Sequence, residues 1–488
     1  MFLIKWLFRL VLLVAVVYGA VFLLNYFDQD LEPGAEAWLQ VPPRVDFSDP
    51  DNGYAHMLGL FAEPGADPAQ AGQAVIMACT AMEPDMDPAF LTDECASALT
   101  MGLEGEFPSW LFSTGATDYL QQCESSRETI LTLADANFEL LDRYRAMLGY
   151  GHVYADHDSQ LLGLIFKSAE SLAIHDLYVA QASLRAIDGD WRGALGDLAQ
   201  DISFQRAARA EVRQFAPAQF SATALAKDCQ ALSQILRAYP ESARDPRLDA
   251  LLTPATAQEL DFSWHQAQRL RAVADTLPVP PQSLRSSEVY PSFLDNDIAF
   301  PVIKPMYQEH ATLNAVYASL RLEAILPHVP LNQWPAIQAE YDKSQEHELD
   351  WELPALVNPL GKLYLQELAP HGTFEETAAM TVTLLKAQPH LVSLQRAMIL
   401  ERVPPDQAQA WLLELPRWLR DPLGGAPVTY NADDMSLNLL EAKVYLELLG
   451  PPPGQDIRPL EAPPGPDQDS QGGAAPESGQ DEEPPKPE

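Results

Sequence analysis

Four side chains that could ligate a divalent cation fall close together: His152, Asp156, His157 and Asp158. Imidazole nitrogens and carboxylate oxygens together suit a hard or borderline ion. Their spacing matches no known ligand pattern, and Gly149 and Gly151 just ahead mark a loop, so a solvated polar loop is the plainer expectation and the four are weak metal candidates. Glu309-His310 and Glu346-His347-Glu348 lie on helical patterns. Neither forms His-Glu-x-x-His, the arrangement that sets two ligands on one helix face, and both read as exposed faces. The chain has no Gly-x-Ser-x-Gly elbow, no Gly-x4-Gly-Lys loop and no Gly-x-Gly-x-x-Gly turn, so no catalytic residue is assigned and no cofactor is expected.

The four cysteines, Cys79, Cys95, Cys123 and Cys229, all follow the apolar N-terminal segment. Placed in an oxidising compartment, an even number suggests disulfides, and four allow three pairings. Cys79 and Cys95 bracket the connection Glu83-Pro84-Asp85-Met86-Asp87-Pro88 and are the expected pair, with Cys123–Cys229 second. Such a loop contributes on the order of 3 kcal/mol in the chain-entropy account. Four buried free thiols are the alternative. No two cysteines stand two to four residues apart, which sets a zinc-finger site aside.

The elements that must position any site begin with Phe2 to Phe27, apolar except for Lys5, Arg9 and Asn25. The uninterrupted run Leu10–Leu24 would span about 22 Å, short of the roughly 30 Å hydrocarbon core. With Lys5 and Arg9 snorkelling, Ile4–Phe27 serves as a full span. Lys5 and Arg9 precede the run, and Asp28, Asp30, Glu32 and Glu36 follow it. Basic residues favour the cytoplasmic side, so the body is expected in the periplasm. A cleaved signal peptide is the rival reading, but Tyr18 is bulky for the position before a cut at Ala20.

The 47% hydrophobic content is ample for a core, and the net charge of −38 repels nucleic acid and anionic headgroups. The acidity reads as a solvated surface, or as one for cationic partners. Helical periodicity runs through Ala71–Met82, Leu91–Met101, Thr117–Leu148, Leu161–Ile187, Trp191–Ala210, Ser221–Tyr239 and Ala255–Thr276. It resumes over Met306–Leu326, Trp334–Glu348, Thr373–Lys386 and Pro405–Glu414, after a Pro-rich passage from Leu277 to Pro305. A short hairpin fits near Val428–Tyr430. Residues 451–488 are rich in proline and acidic side chains and contain no aromatic residue, the composition of a disordered tail.

Gly189-Asp190-Trp191-Arg192-Gly193-Ala194-Leu195 is similar to the turn of a tetratricopeptide repeat: Gly ends one helix, Asp caps the next, and Ala allows close approach. Only one such unit is visible, whereas an array needs about three. With Asn52-Gly53-Tyr54, Leu58-Gly59, Asn137…Leu140-Leu141…Arg143-Tyr144…Leu148 and Asp421-Pro422-Leu423-Gly424-Gly425-Ala426-Pro427-Val428…Tyr430, it resembles an uncharacterised group of membrane-anchored helical periplasmic proteins of Gram-negative bacteria. The resemblance runs loosely over residues 50–440. It implies an inner-membrane anchor with a periplasmic body and carries over no catalytic residue.

The sequence thus describes an all-α chain. It has a cytoplasmic stub and transmembrane anchor (1–27), a linker (28–50), and an irregular array of helical hairpins (51–450) with a lobe boundary near 277–305. A disordered tail follows (451–488). The expected role is a non-enzymatic interaction or scaffold module of the cell envelope, with an envelope protein as partner. The competing expectation is a periplasmic hydrolase or metal-dependent enzyme with its site between helical lobes, for which residues 152–158 are the best support.

Overall fold

The computed structural model describes residues 2–40, 49, 51–81, 95–112, 118–155, 160–276, 307–345, 357–358, 361–362, 365, 379–440 and 442–446. The Pro-rich passage, Glu346-His347-Glu348 and the acidic tail lie outside them. The described chain is helical apart from one small sheet.

Helix α1 (Phe2–Asn25) contains the 22-residue stretch Ile4–Asn25, within which an 18-residue window has a mean hydropathy of 2.6. It is long and apolar enough to cross a membrane. The residues after it are docked on the body. Helix α2 (Pro33–Leu39) puts Ala35 into a small apolar core with Leu270, Leu313, Tyr317 and Leu320, and Trp38 meets Tyr317 edge to face at 4.9 Å. The main core starts with α3 (Tyr54–Leu58) and α4 (Pro68–Ala81). These cross so closely that a Cβ on Gly72 would stand 1.8 Å from the Ala55 carbonyl oxygen, and one on Gly59 would stand 1.9 Å from that of Pro68.

The apolar stripe expected as one helix over 117–148 is divided among α5 (Tyr119–Ser125), α6 (Arg127–Ala136) and α7 (Phe138–Met147). The second break has a visible cause. Asn137 turns its side chain to the backbone of Glu104, accepting its N–H at 2.9 Å and donating to its carbonyl at 2.8 Å. An Asn side chain that competes for backbone partners favours a helix end over a helix interior. Leu120, Ile130, Leu133, Leu141 and Tyr144 stay buried, whereas Phe138, placed in the stripe by periodicity, is 64% exposed.

The helices α8 (Gln160–Ile165), α9 (Ser168–Ile187), α10 (Trp191–Glu211) and α11 (Phe215–Ala238) form the centre. Between α9 and α10, Gly189 has φ +94°, a left-handed conformation that glycine takes without strain. Asp190 then caps α10, accepting the Gly193 N–H at 3.0 Å, and Ala194 is fully buried. This is the hairpin expected from the Gly-Asp-Trp turn.

Beyond lie α12 (Arg247–Leu251), α13 (Ser263–Thr276), α14 (Glu309–Ile325) and α15 (Trp334–Gln345). Then α16 (Gln388–Glu401), α17 (Ala408–Glu414) and α18 (Arg417–Arg420) follow. The pattern placed a helix end at Lys386; instead a π-turn over Thr383–Ala387 leads directly into α16. Pro389 has no N–H for a normal helical bond, and the widened turn just ahead accommodates it. Near the end, Asp421 Oδ1 accepts the N–H groups of Gly425 (2.8 Å) and Ala426 (3.1 Å). Strands β1 (Thr429–Asn431), β2 (Ser436–Leu439) and β3 (Ala442–Tyr445) follow as an antiparallel sheet in that order, with Leu437 opposite both Tyr430 and Val444. The expected hairpin is thus a three-stranded meander.

The α3–α4 crossing gives a direct test. Gly72→Ala should destabilise the full chain in detergent by about 3 kcal/mol, because backbone would have to yield. Gly163→Ala on α8, where a Cβ meets nothing within 4 Å, should be neutral or stabilising by up to about 1 kcal/mol. Thermal unfolding of the two variants side by side measures the difference.

Candidate functional site

The residues singled out by sequence do not assemble a site among the described residues. His152 lies near the surface with Nε2 3.2 Å from Asp49, and its carbonyl accepts the Gly53 N–H at 2.9 Å. Asp156, His157 and Asp158 lie outside the described residues. His310 is an exposed side chain whose Nδ1 is 2.9 Å from the Gln29 carbonyl. The expected disulfides are not formed: Cys79, Cys95, Cys123 and Cys229 are all buried free thiols. Cys79 and Cys95 do contact each other, and burial and that contact push the Cys79 thiol up. Cys123 packs instead against Tyr119 and Ser183, and Cys229 lies beside Asp228.

A different group of ionisable residues converges where α9, α10 and α11 meet. From α9 come His175 and Asp176, from α10 Asp201 and Gln205, and from α11 Lys227 and Asp228. His175, Asp201 and Asp228 are all fully buried. His175 Nε2 is 3.3 Å from Asp228 Oδ1 and 3.6 Å from Asp201 Oδ2, and its Nδ1 is 3.2 Å from Asp176 Oδ1. Lys227 pairs with the other oxygen of Asp176. Above them, Tyr144 on α7 donates its hydroxyl to Asp201 at 2.9 Å, and Gln205 Nε2 donates to both Tyr144 and Asp201, each at 2.9 Å. Asp228 Oδ2 and Gln205 Oε1 have no hydrogen-bond partner among the described residues.

The electrostatics follow from burial and crowding. Burial raises the pKa of both Asp201 and Asp228, and each Asp228 proton is further held by the neighbouring charge of Asp201. Burial acts against a charged imidazole, but Asp201, Asp228 and Asp176 outweigh it and push His175 up to about 10. Burial and Asp201 hold Tyr144 neutral, well above its ordinary value. The donor atoms of His175, Asp201 and Asp228 all lie within 4.8 Å of one another, a spacing able to hold a metal ion.

Sequence reasoning passed over these residues, although a signal was present. Asp201 sits three residues after buried Leu198 and next to Ile202. Asp228 sits three after Leu225 and four before Leu232, and His175 follows Ile174 and precedes Leu177. Each is a charge in the register of the apolar stripe on a long helix, where an ionisable group needs a partner.

The outer side of α11 borders a separate cavity of about 410 Å³. Its walls include Thr223, Gln230 and Gln234 of α11, Thr383 of the π-turn, Gln388 of α16 and Tyr445 of β3. Most of these are neutral hydroxyl and amide groups. None of His175, Asp176, Asp201 and Asp228 lines it.

No protein-family model matches the chain, and no similar curated protein or solved structure was found.

Lys227 is buried and pairs with the Asp176 carboxylate. Lys227→Met should cost about 3–5 kcal/mol, since it strips Asp176 of its ammonium partner. Arg185→Met, at a half-exposed pair with Asp190, should cost less than about 1 kcal/mol. Equal effects in thermal unfolding would show that the central cluster is not the more demanding one.

Proposed function

We propose that this chain is a membrane-anchored envelope protein whose helical body holds an extended segment of a protein partner in the cavity between α11, the π-turn and β3. The cavity lining carries this reading. Strand β3 is an edge of the sheet, and all four of its residues, Ala442–Tyr445, border the cavity. Consecutive residues border a space together when a strand presents its edge, since its side chains alternate between faces. An edge strand offers backbone donors and acceptors to an added strand. Gln388 also borders the cavity, and its amide is of the hydrogen-bonding chemistry that a peptide backbone matches. The chain's net charge of −38 favours a cationic segment.

The anchor fits the same role. Helix α1 is apolar and long enough to span, with Lys5 and Arg9 before its apolar centre and acidic residues after it. That charge order favours a periplasmic body on an inner-membrane anchor. The rival hydrolase reading is weakened because the buried histidine and carboxylates do not line the cavity beside α11. Of residues 152–158, His152 is paired to Asp49 at the surface, and Asp156, His157 and Asp158 lie outside the described residues.

Affinity purification of the tagged full-length protein from its native membranes, followed by mass spectrometry, tests the proposal. A reproducible envelope partner is expected with the wild-type chain, reduced at least about tenfold by Thr223→Trp, which fills the cavity. A partner recovered equally with both would move the binding surface elsewhere. A protein that purifies alone would sink the scaffold reading.

A further inference from the structure

The central cluster has an unusual arrangement around one nitrogen. His175 Nδ1 faces the Asp176 carboxylate at 3.2 Å and can keep its proton there, which leaves Nε2 as the atom able to ligate an ion. Nε2 faces two more carboxylates, Asp228 at 3.3 Å and Asp201 at 3.6 Å. A proton on Nε2 answers these carboxylates when no ion is bound, and a cation would take that proton's place. The separations suit the cation. A charge-assisted N–H···O bond would close to about 2.7–2.9 Å. Ligands about 2.1 Å from a tetrahedral ion stand about 3.4 Å apart.

Two further observations agree. Asp228 Oδ2 is fully buried with no partner among the described residues, as is the nearby Gln205 Oε1. With a divalent cation bound and the protons it displaces gone, the three carboxylates, the ammonium of Lys227 and the ion would sum to zero net charge. Tyr144 and Gln205 fix the orientation of Asp201, and Asp176 fixes that of His175. Outer partners of this kind hold metal ligands in place.

We infer that His175, Asp201 and Asp228 bind a divalent cation of the zinc type, through Nε2 and the carboxylate oxygens, with Asp228 Oδ2 free to complete the coordination. The mixed nitrogen and oxygen donors suit a borderline ion. The site is sealed, so the ion is taken up as α9, α10 and α11 close together and serves the fold. It is independent of the cavity: the two lie along α11 but share no lining residue, and each can fail without the other.

The test uses the full-length protein purified in detergent without chelators. Elemental analysis should find about one zinc-type ion per chain, and removing it with a strong chelator under mild denaturant should lower the unfolding midpoint by roughly 5 °C or more, restored by added Zn²⁺. Asp228→Asn keeps the shape and should reduce the bound metal at least about tenfold. His175→Gln is the second variant, should Asp228→Asn fail to fold, with the same loss expected. A metal-free wild-type chain whose unfolding midpoint ignores both Zn²⁺ and chelator would overturn the proposal and leave protons holding the cluster. So would an ion retained undiminished in both variants.

Discussion

Charge can be buried among apolar helices only when each group finds its complement, and that constraint sets how α9, α10 and α11 meet. His175, Asp176, Asp201, Lys227 and Asp228 come from three helices and meet in one place only at one relative rotation. A slip of one residue on any helix turns it by about 100° and would leave a carboxylate facing hydrocarbon. Apolar packing tolerates many near-equivalent arrangements, whereas matched buried charge does not. The rotation that brings Asp228 inward also turns Thr223, Gln230 and Gln234 toward the π-turn and the sheet. The shape of the cavity is in that sense a by-product of how the cluster closes.

Helix type was well declared by the sequence, because three- and four-residue spacing reports the buried face of a helix whatever packs on it. The Gly189-Asp190 turn was declared as well, since its left-handed residue and its cap are both local. The breaks were less visible. Nothing within 117–148 reveals that Asn137 prefers the backbone of Glu104, more than thirty residues away. Nor does any local feature reveal the π-turn that carries the chain past Pro389. The central cluster was hidden for the same reason. Asp201 and Asp228 are isolated in sequence, and only the folded hairpin brings them to His175. The histidines and acids that stood together in the chain, at 152–158, gave the stronger local signal, and of them the described residues hold only His152, beside Asp49 at the surface.

The short motifs that suggested a family are occupied with holding segments together. Asn52 takes the N–H groups of Tyr54 and Tyr154 and donates to the Tyr154 carbonyl. Arg143, nearly buried, satisfies the carbonyls of Leu60, Ala62, Glu63 and Ala66 in addition to the Glu139 carboxylate. Five hydrogen-bond acceptors thus gather around the two terminal nitrogens of one guanidinium. The next residue, Tyr144, points the other way into the central cluster. Adjacent positions on α7 thus tie the first loop of the body to one side and the charge centre to the other.

The exit from α1 bears on how the body is carried. Asp28 accepts the N–H groups of His310 and Ala311, and so caps α14 from a distant part of the chain. The Phe27 carbonyl is held by Gln308, and Asn314 bonds both Asp30 and Glu32. A span joined through a slack tether lets its cargo wander over a wide arc. Here the joint is stiff, so with α1 in a bilayer the body stands at one inclination and one height above the lipid. A partner would have to present itself within that narrow reach, and a tilt of the span would swing the whole body with it.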